Sequence, residues 1–248
     1  MNLLIIGFAF LGGREVAMML VKKGYRLRLS LAGLLGALLP AGTYLELLFP
    51  RLEGILLPLL TAGAGLVLLT AGFARSEETI GSLLNSIPGY LTVLLYPGFF
   101  LTYMVRLSSF EQASAVILIF IALGFSNDSF AYLIGILLGK SNRGLFKVSP
   151  NKSVAGLLGG LAGAVAAALI TDRIFPDIFS GKTGMLLLTA FLTSFLAVAG
   201  DLIESAFKRS AGVKDSGNLL GGRGGVMDSL DSLLYCAPVF YYLLKFLQ

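Results

Sequence analysis

The segment from Gly200 to Ser232 carries most of the residues in this chain that could do chemistry. It lies between two apolar stretches, yet it reads GDLIESAFKRSAGVKDSGNLLGGRGGVMDSLDS. Its acidic residues are Asp201, Glu204, Asp215, Asp228 and Asp231, and its basic residues are Lys208, Arg209, Lys214 and Arg223. Taken singly, each residue fits a juxtamembrane loop with helix-capping aspartates. Together, beside apolar stretches where ionisable residues are costly, they favour a site for phosphate and metal.

Asp228 and Asp231 are spaced three apart at the start of the last apolar stretch. On a helix they project from one face, where two like charges repel unless a cation lies between them. The chain has no histidine and a single cysteine, Cys236, in an apolar run. Carboxylates without soft ligands predict Mg²⁺, with a second cation plausible, while the lysines and arginines bind phosphate charge. The glycines let backbone N–H groups approach a phosphate.

Asp128 is the most deeply placed acid, within the apolar run from Ala113 to Gly139. It could make a polar contact between helices, but an intramembrane carboxylate favours a functional role. Because histidine is absent, the commonest general base and the Ser-His-Asp triad are excluded. Any chemistry must therefore use Asp, Glu, Lys, Arg and a hard metal ion.

The elements that position these residues are predicted to lie in a membrane. Hydrophobic residues make up 56% of the 248 residues and charged residues 13%, and the mean hydropathy is +0.86. A soluble core of this size does not need such values, so lipid must be the main solvent. The net charge of +5 suits anionic headgroups or phosphate substrates, but it also follows from membrane topology alone.

We predict an all-α fold, a polytopic transmembrane helical bundle of about eight spans with short loops. The predicted spans are Leu3 to Leu20, Leu29 to Phe49, Ile55 to Ala74, Ile87 to Val105, Ala113 to Gly139, Val154 to Thr171, Gly184 to Ile203 and Leu230 to Leu247. Residues 1–110 are predicted to be N-terminal transmembrane helices, and residues 111–248 the catalytic transmembrane region with cytoplasmic active-site loops. Glycines at small-residue spacing, such as Gly156, Gly159, Gly160 and Gly163, predict close helix packing.

Basic and poorly charged connections alternate along the chain. The basic ones hold Lys22 to Arg28, then Arg75 with Glu77 and Glu78, then Lys140 to Lys152, and then Lys208 to Arg223. By the positive-inside rule these connections are cytoplasmic and both termini lie outside. The two most basic loops, after spans five and seven, are therefore predicted to share the cytoplasmic side.

The Gly200 to Ser232 segment resembles the signature of phosphatidate cytidylyltransferases, also called CDP-diacylglycerol synthases. The matching residues are Ser205, Lys208, Arg209, Lys214, Asp215, Gly224, Gly225, Asp228 and Asp231. This chain departs from the family at Arg223, where histidine is common, and at Ser229, where arginine is common. Neither departure removes a proposed metal ligand.

A second stretch is similar to the family's other shared pattern. It comprises Asn127, Asp128, Ala131, Tyr132, Gly135, Gly139 and Lys140, followed by Ser149, Pro150, Lys152 and Gly156, with Val154 and Ala155 in place of the usual Trp-Glu. Gly24 to Arg26 also looks like a family loop, and by that alignment the chain lacks an initial span or two that many members carry. Only the two motif regions are specific.

The resemblance implies transfer of a cytidylyl group from CTP to phosphatidic acid, which gives CDP-diacylglycerol and pyrophosphate. It implies magnesium ligands at Asp215, Asp228 and Asp231, and catalytic roles for Asp128, Lys208, Arg209, Lys214 and Asp215. Substrate binding falls to Ser205, Asn127, Lys140, Lys152, Arg223, Gly224 and Gly225. It also implies a homodimer in a prokaryotic-type inner membrane, with the active site facing the cytoplasm and no nucleic-acid partner.

Other functions remain open at this point. The same phosphate chemistry would serve a CTP-dependent lipid kinase or a cytidylyltransferase for another lipid phosphate. A membrane transporter could use Asp128 and Asp201 as a proton or cation path. The polar glycine-rich segment and the lack of a visible internal repeat argue against the transporter.

Overall fold

In a computed structural model, residues 1–72, 81 and 83–247 are described, and their regular structure is helical apart from isolated bridges. The helices are α1 (Asn2–Lys22), α2 (Leu29–Leu48), α3 (Leu56–Gly72), α4 (Leu83–Val93), α5 (Phe100–Arg106), α6 (Ala113–Leu138), α7 (Val154–Ile174), α8 (Pro176–Phe179), α9 (Thr183–Ser210) and α10 (Val226–Leu247). A π-helical segment, Leu94–Phe99, joins α4 to α5. Arg75, Glu77 and Glu78 of the topology prediction lie outside the described residues.

Among the described residues, 7 helices are long and apolar enough to cross a membrane, with Leu83–Ser109 counted as one, and Leu56–Leu69 is a shorter apolar helix. This confirms the all-α polytopic bundle. Several boundaries differ from the prediction: α9 continues past Ile203 to Ser210, α10 begins at Val226, and the fourth span begins at Leu83. Hydropathy falls where charged residues begin, but helical backbone hydrogen bonding does not stop there.

The chain divides into two compact units. Unit 1 comprises Met1–Arg106 and Phe207–Ser229, and unit 2 comprises Leu107–Ala206 and Leu230–Gln248. Helices α9 and α10 each contribute residues to both units. The predicted division into N-terminal helices (residues 1–110) and a catalytic region (residues 111–248) was based on function, and it stays a prediction.

Unit 1 packs α1 against α2 through glycines. A Cβ atom built on Gly13 would lie 2.6 Å from the carbonyl oxygen of Ala32, and one on Gly36 would meet the carbonyl oxygen of Ala9. Side chains at these positions would push the two helices apart. The π-helical segment contains Pro97, whose missing N–H and ring disturb α-helical hydrogen bonding.

Unit 2 packs α6 against α7 in the same way. A Cβ atom on Gly160 would lie 2.8 Å from the Asn127 Oδ1 atom, and one on Gly163 would lie 2.7 Å from the Phe130 Cβ atom. Helix α7 begins after Ser153, whose Oγ atom accepts a hydrogen bond from the Gly156 N–H at 3.0 Å. The glycine spacing thus serves close helix packing, as predicted.

Candidate functional site

The last turn of α9 and the first turn of α10 are joined by an ion pair within unit 1. The Lys208 Nζ atom lies 2.7 Å from the Asp228 Oδ1 atom, and the two side chains are only 13% and 8% exposed. Low exposure limits screening by solvent, so this pair is held more firmly than a surface pair. The ammonium group of Lys208 is therefore fixed at the loop between the two helices.

The other oxygen of Asp228 closes that loop. Its Oδ2 atom accepts hydrogen bonds from the Ser216 N–H at 2.8 Å, the Ser216 hydroxyl at 2.8 Å and the Gly225 N–H at 2.7 Å. Gly224, with φ of 87° and ψ of −138°, has a conformation that only glycine adopts readily. A Cβ atom there would also meet the Asp228 carboxylate. Asp228 therefore organises the loop backbone.

The remaining predicted residues of unit 1 lie on the outside of this loop. Arg209, Lys214 and Asp215 are exposed, and Asp215 approaches the loop through its Cβ atom, 3.3 Å from a Cβ built on Gly224. Gly224 and Gly225 are buried. The backbone of Arg223 belongs to a short 3-10 segment, Gly221–Arg223, while its side chain lies outside the described part of the structure.

Unit 2 contains a cavity of about 470 Å³ formed by α6, the loop that follows it, α7 and α9. This volume lies in the range of small-molecule sites. Its polar lining includes Asn127, Asp128, Arg143, Asn151, Lys152 and Asp201. Its apolar lining includes Tyr132 and Ile136, so the cavity has both polar and apolar surfaces.

The charges in the cavity are not all balanced in the same way. The Lys152 Nζ atom lies 2.7 Å from the Asp201 Oδ2 atom. Arg143 lines the same cavity. Among the described residues, its guanidinium forms no ion pair with an acidic side chain. The loop that carries it is held by isolated backbone bridges from Arg143 to Ser153 and from Phe146 to Ser149. Arg143 is therefore an exposed cation of the lining that forms no ion pair with a described acidic side chain, while the lining as a whole holds two acids, Asp128 and Asp201, and two cations.

Asp128 is part of a polar chain that links three helices of unit 2. Its Oδ2 atom accepts from the Ser232 hydroxyl at 2.9 Å, and its Oδ1 atom accepts from the Asn127 amide at 3.1 Å. The Asn127 Oδ1 atom in turn accepts from the Ser194 hydroxyl at 2.7 Å. Such hydrogen bonds fix helices within a membrane, and Asp128 also lines the cavity. Asp128 thus forms a contact between helices, and its functional role stays a prediction.

Acidic residues of α9 and α10 also come together in unit 2. Asp231 has Glu204 and Asp201 as charged neighbours, and Glu204 is fully buried. The Ser205 hydroxyl donates to the Asp201 Oδ1 atom at 3.2 Å. Gly200 permits this approach, since a Cβ atom there would meet the carbonyl oxygen of Asp231.

The predicted magnesium ligands do not form a group that could hold a metal ion in the described part of this structure. Asp215 and Asp228 belong to unit 1 and Asp231 to unit 2. No group of three or more acidic or cysteine side chains among the described residues is arranged to hold a metal ion. Since Asp228 already binds Lys208 and three further donors, the geometry does not fit a preformed cage. Magnesium stays a prediction that rests on residue types.

Several predicted residues are brought together and others are not. Lys208, Asp228, Gly224 and Gly225 meet in unit 1, and Asn127, Asp128 and Lys152 meet at the cavity in unit 2. Lys140 is exposed and is not among the cavity's lining residues. Cys236 is fully buried, and its thiol donates to the Thr193 carbonyl oxygen at 3.2 Å, which agrees with a packing role.

Sequence reasoning missed two residues. Arg143 lies in the same basic connection as Lys140, but charge alone does not tell which cation faces a cavity. Glu15 lies within the predicted first span, Leu3 to Leu20, yet it is 3% exposed and accepts hydrogen bonds from the N–H groups of Val226 and Met227. The sequence did contain a signal for Glu15, because a carboxylate inside an apolar span is costly unless it has partners.

Fold and sites together define a polytopic helical membrane protein with a polar, glycine-rich loop and a charged cavity. The sequence model of the cytidylyltransferase family matches residues 1–247. The chain therefore belongs to the cytidylyltransferase family.

Individual relatives agree with this assignment. A phosphatidate cytidylyltransferase of Bacillus subtilis strain 168 is 38% identical over 163 residues, which cover 63% of this chain and 58% of the relative. One of Thermotoga maritima is 31% identical over 209 residues, 81% of this chain and 76% of the relative. The uncharacterized protein YnbB of Escherichia coli strain K12 is 37% identical over 143 residues, 58% of this chain and 47% of the relative. The chain thus spans about half the length of some relatives that it matches.

Proposed function

We propose that this chain transfers a cytidylyl group from CTP to phosphatidic acid, giving CDP-diacylglycerol and pyrophosphate. The observation that carries the proposal is the family match over residues 1–247. Relatives named phosphatidate cytidylyltransferase, such as those of B. subtilis and T. maritima, support the choice of substrates.

The reaction suits the residues available. An oxygen of the phosphatidic acid phosphate attacks the α-phosphorus of CTP, and the bond between the α-phosphorus and the bridging oxygen breaks to release pyrophosphate. A phosphate monoester is already ionised near neutral pH, so the nucleophile needs no protein base. This agrees with a chain of 0 histidines. The protein must chiefly neutralise converging negative charge.

In this proposal each described site, taken by itself, supplies a cation for an anionic group. Lys208, fixed by Asp228 at 2.7 Å, binds CTP phosphate together with Arg209, Lys214 and the glycine-rich loop. We assign the contact with the other phosphate to Arg143 of the unit 2 cavity, because Lys152 is paired with Asp201 and Arg143 forms no ion pair with a described acidic side chain; Asp128 lines the same cavity. Its apolar lining suits a molecule that carries acyl chains.

Mg²⁺ and a homodimer are also part of the proposal, but fewer observations support them. Mg²⁺ would neutralise triphosphate charge, and it stays in the proposal only because Asp215, Asp228 and Asp231 are of the residue type that it prefers, since they form no preformed cage among the described residues. The homodimer follows from the family resemblance alone. No nucleic-acid partner is proposed.

One experiment separates this function from its rivals. Purified protein in phosphatidic acid vesicles receives CTP labelled at the α-phosphorus, and lipid and water-soluble products are analysed. We expect labelled CDP-diacylglycerol and one pyrophosphate per lipid. A lipid kinase would instead release labelled CDP, and a cytidylyltransferase for another lipid phosphate would need that lipid. No CTP turnover with any of these lipids would contradict the proposal.

We further propose that the active-site loops face the cytoplasm of a prokaryotic inner membrane. Single cysteines placed at Lys147 and Lys214 should react with impermeant reagents only from the cytoplasmic side, and one at Asp177 only from outside. The native Cys236 is fully buried, so its background should be low. Reaction of positions 147 and 177 from the same side would contradict this topology.

A further inference from the structure

Glu15 binds the segment that carries the Lys208–Asp228 pair, although it lies in the first helix. Its Oε1 atom accepts from the Val226 N–H at 2.9 Å. Its Oε2 atom accepts from the Met227 N–H at 2.9 Å and from the Ser216 hydroxyl at 3.1 Å. The carboxylate is buried in unit 1, and both of its oxygens are used by protein donors.

Two of these donors belong to the start of α10. Val226 and Met227 are its first residues, and N–H groups in a first helical turn have no partner within the helix. A buried negative charge satisfies them and interacts favourably with the positive end of the helix dipole. Glu15 thus fixes where α10 begins, next to Asp228 in the same turn.

The third donor connects Glu15 directly to Asp228. The Ser216 hydroxyl lies 3.1 Å from the Glu15 Oε2 atom and 2.8 Å from the Asp228 Oδ2 atom. A hydroxyl has a single proton to donate, so the two carboxylates share this donor. A change at Glu15 is therefore transmitted to the hydrogen bonding of Asp228.

The loop backbone also closes tightly around Glu15. A Cβ atom on Gly217 would lie 2.7 Å from the Glu15 Oε1 atom, and one on Gly225 would lie 2.5 Å from the Oε2 atom. Larger residues would displace the carboxylate. Both glycines therefore allow the loop to approach Glu15, and Gly225 also donates its N–H to Asp228.

We infer that Glu15 is a positioning residue, which holds the loop Ser216–Gly225 and the start of α10 so that Lys208 and Asp228 keep the geometry required for phosphate chemistry. The inference rests on the proposed function for the reaction that the loop serves. Glu15 acts through Ser216 and the α10 backbone and does not itself touch substrate.

The test compares two identical substitutions within unit 1. Glu15→Gln keeps the side-chain size, but it removes the charge and turns one acceptor into a donor that faces N–H and O–H groups. Glu46→Gln is the matched control, because Glu46 also accepts from a backbone N–H, that of Gly54 at 2.9 Å, and forms an ion pair with Arg106 at 3.1 Å. Both variants remove a carboxylate that binds its surroundings, but only Glu15 contacts the loop.

Two readouts are measured for each variant. The first is kcat and KM for CTP in phosphatidic acid vesicles. The second is the mobility of a nitroxide attached to a cysteine at the exposed Asn218, in a Cys236→Ala background. Glu15→Gln should lower kcat by about 10- to 100-fold with less change in KM, and should mobilise the nitroxide. Glu46→Gln should change neither.

The two readouts separate failure of the Glu15 inference from failure of the proposed function. If unaltered protein makes no CDP-diacylglycerol, the proposed function fails, and nitroxide mobility still decides whether Glu15 holds the loop. Unchanged mobility in Glu15→Gln, or an equal loss of kcat in both variants, would overturn the inference. If Glu15→Gln does not insert stably, Ser216→Ala is measured instead, and it should lower kcat and mobilise the nitroxide in the same direction. If Ser216→Ala keeps full activity and an immobile nitroxide, the inference about Glu15 is also overturned.

Discussion

The Lys208 Nζ atom lies 2.7 Å from the Asp228 Oδ1 atom, which ties the end of α9 to the start of α10. The same carboxylate accepts three further hydrogen bonds from Ser216 and Gly225. One side chain thus orients a cation and closes a loop. Two residues that the sequence assigned to phosphate and metal are bound to each other in this structure.

Lys208 and Asp228 should therefore behave as a coupled pair. We expect Lys208→Ala and Asp228→Asn each to lower kcat/KM by about 10² or more, and the double variant to lose less than the product of both effects. Purified variants are assayed with CTP and phosphatidic acid. Lys23→Ala, an exposed lysine of the same unit, serves as the control. Strictly multiplicative losses would show that the ion pair has no part in activity.

Gly224 should be intolerant of a side chain while its neighbour Gly222 is tolerant. Gly224 has φ of 87°, and its Cβ would meet the Asp228 carboxylate, whereas Gly222 has nothing within 4 Å. Gly224→Ala should cost about 1–3 kcal/mol of local strain and abolish most activity. Gly222→Ala should retain wild-type turnover. Equal activity of the two variants would contradict the loop conformation.

Arg143 should contribute to substrate binding more than to turnover. Removing this cation from the cavity lining should raise KM for the substrate bound there by about tenfold, which is the loss expected for one hydrogen bond to a charged group. Arg143→Ala is compared with Lys147→Ala, an exposed cation of the same loop. Titration of CTP and of phosphatidic acid separately identifies the substrate affected. If KM rises for CTP instead of the lipid, the assignment of the cavity to phosphatidic acid is wrong.

Asp128→Asn should separate a structural from a chemical role. The amide keeps the volume and can still accept from one of the two donors, Ser232 or Asn127, so membrane insertion and yield should be near normal. Activity should fall by about 10² if the charge is needed at the cavity. Asp177→Asn, an exposed aspartate, is the matched control. Full activity of Asp128→Asn would leave Asp128 with the role of a link between helices.

Metal dependence follows from the carboxylates and the absence of soft ligands. Activity should require Mg²⁺ or Mn²⁺, should vanish in excess chelator and should not be restored by Zn²⁺. The assay uses protein stripped of metal and reconstituted in vesicles. Full turnover in excess chelator would remove divalent metal from the reaction.

The sequence by itself determined the class of fold and marked two regions as candidates for function. The length of its apolar runs is set by the thickness of a bilayer, so spans such as Ala113–Leu138 and Val154–Ile174 could be predicted nearly to their ends. The glycines of α7 indicated close packing, because a small side chain has few other reasons to recur at that spacing in a membrane helix. Charged residues within apolar surroundings marked Asp128 and the Gly200 to Ser232 segment.

Only the tertiary structure decided which of those residues contact one another. Glu15 and Met227 are separated by 212 positions in the chain, and no local pattern relates a carboxylate in α1 to N–H groups at the start of α10. Likewise, Lys140 and Arg143 are equally basic in sequence, but the path of the loop after α6 places only Arg143 at the cavity. Contacts of this kind depend on how helices pack over long sequence separations, whereas periodicity and composition report only local preferences.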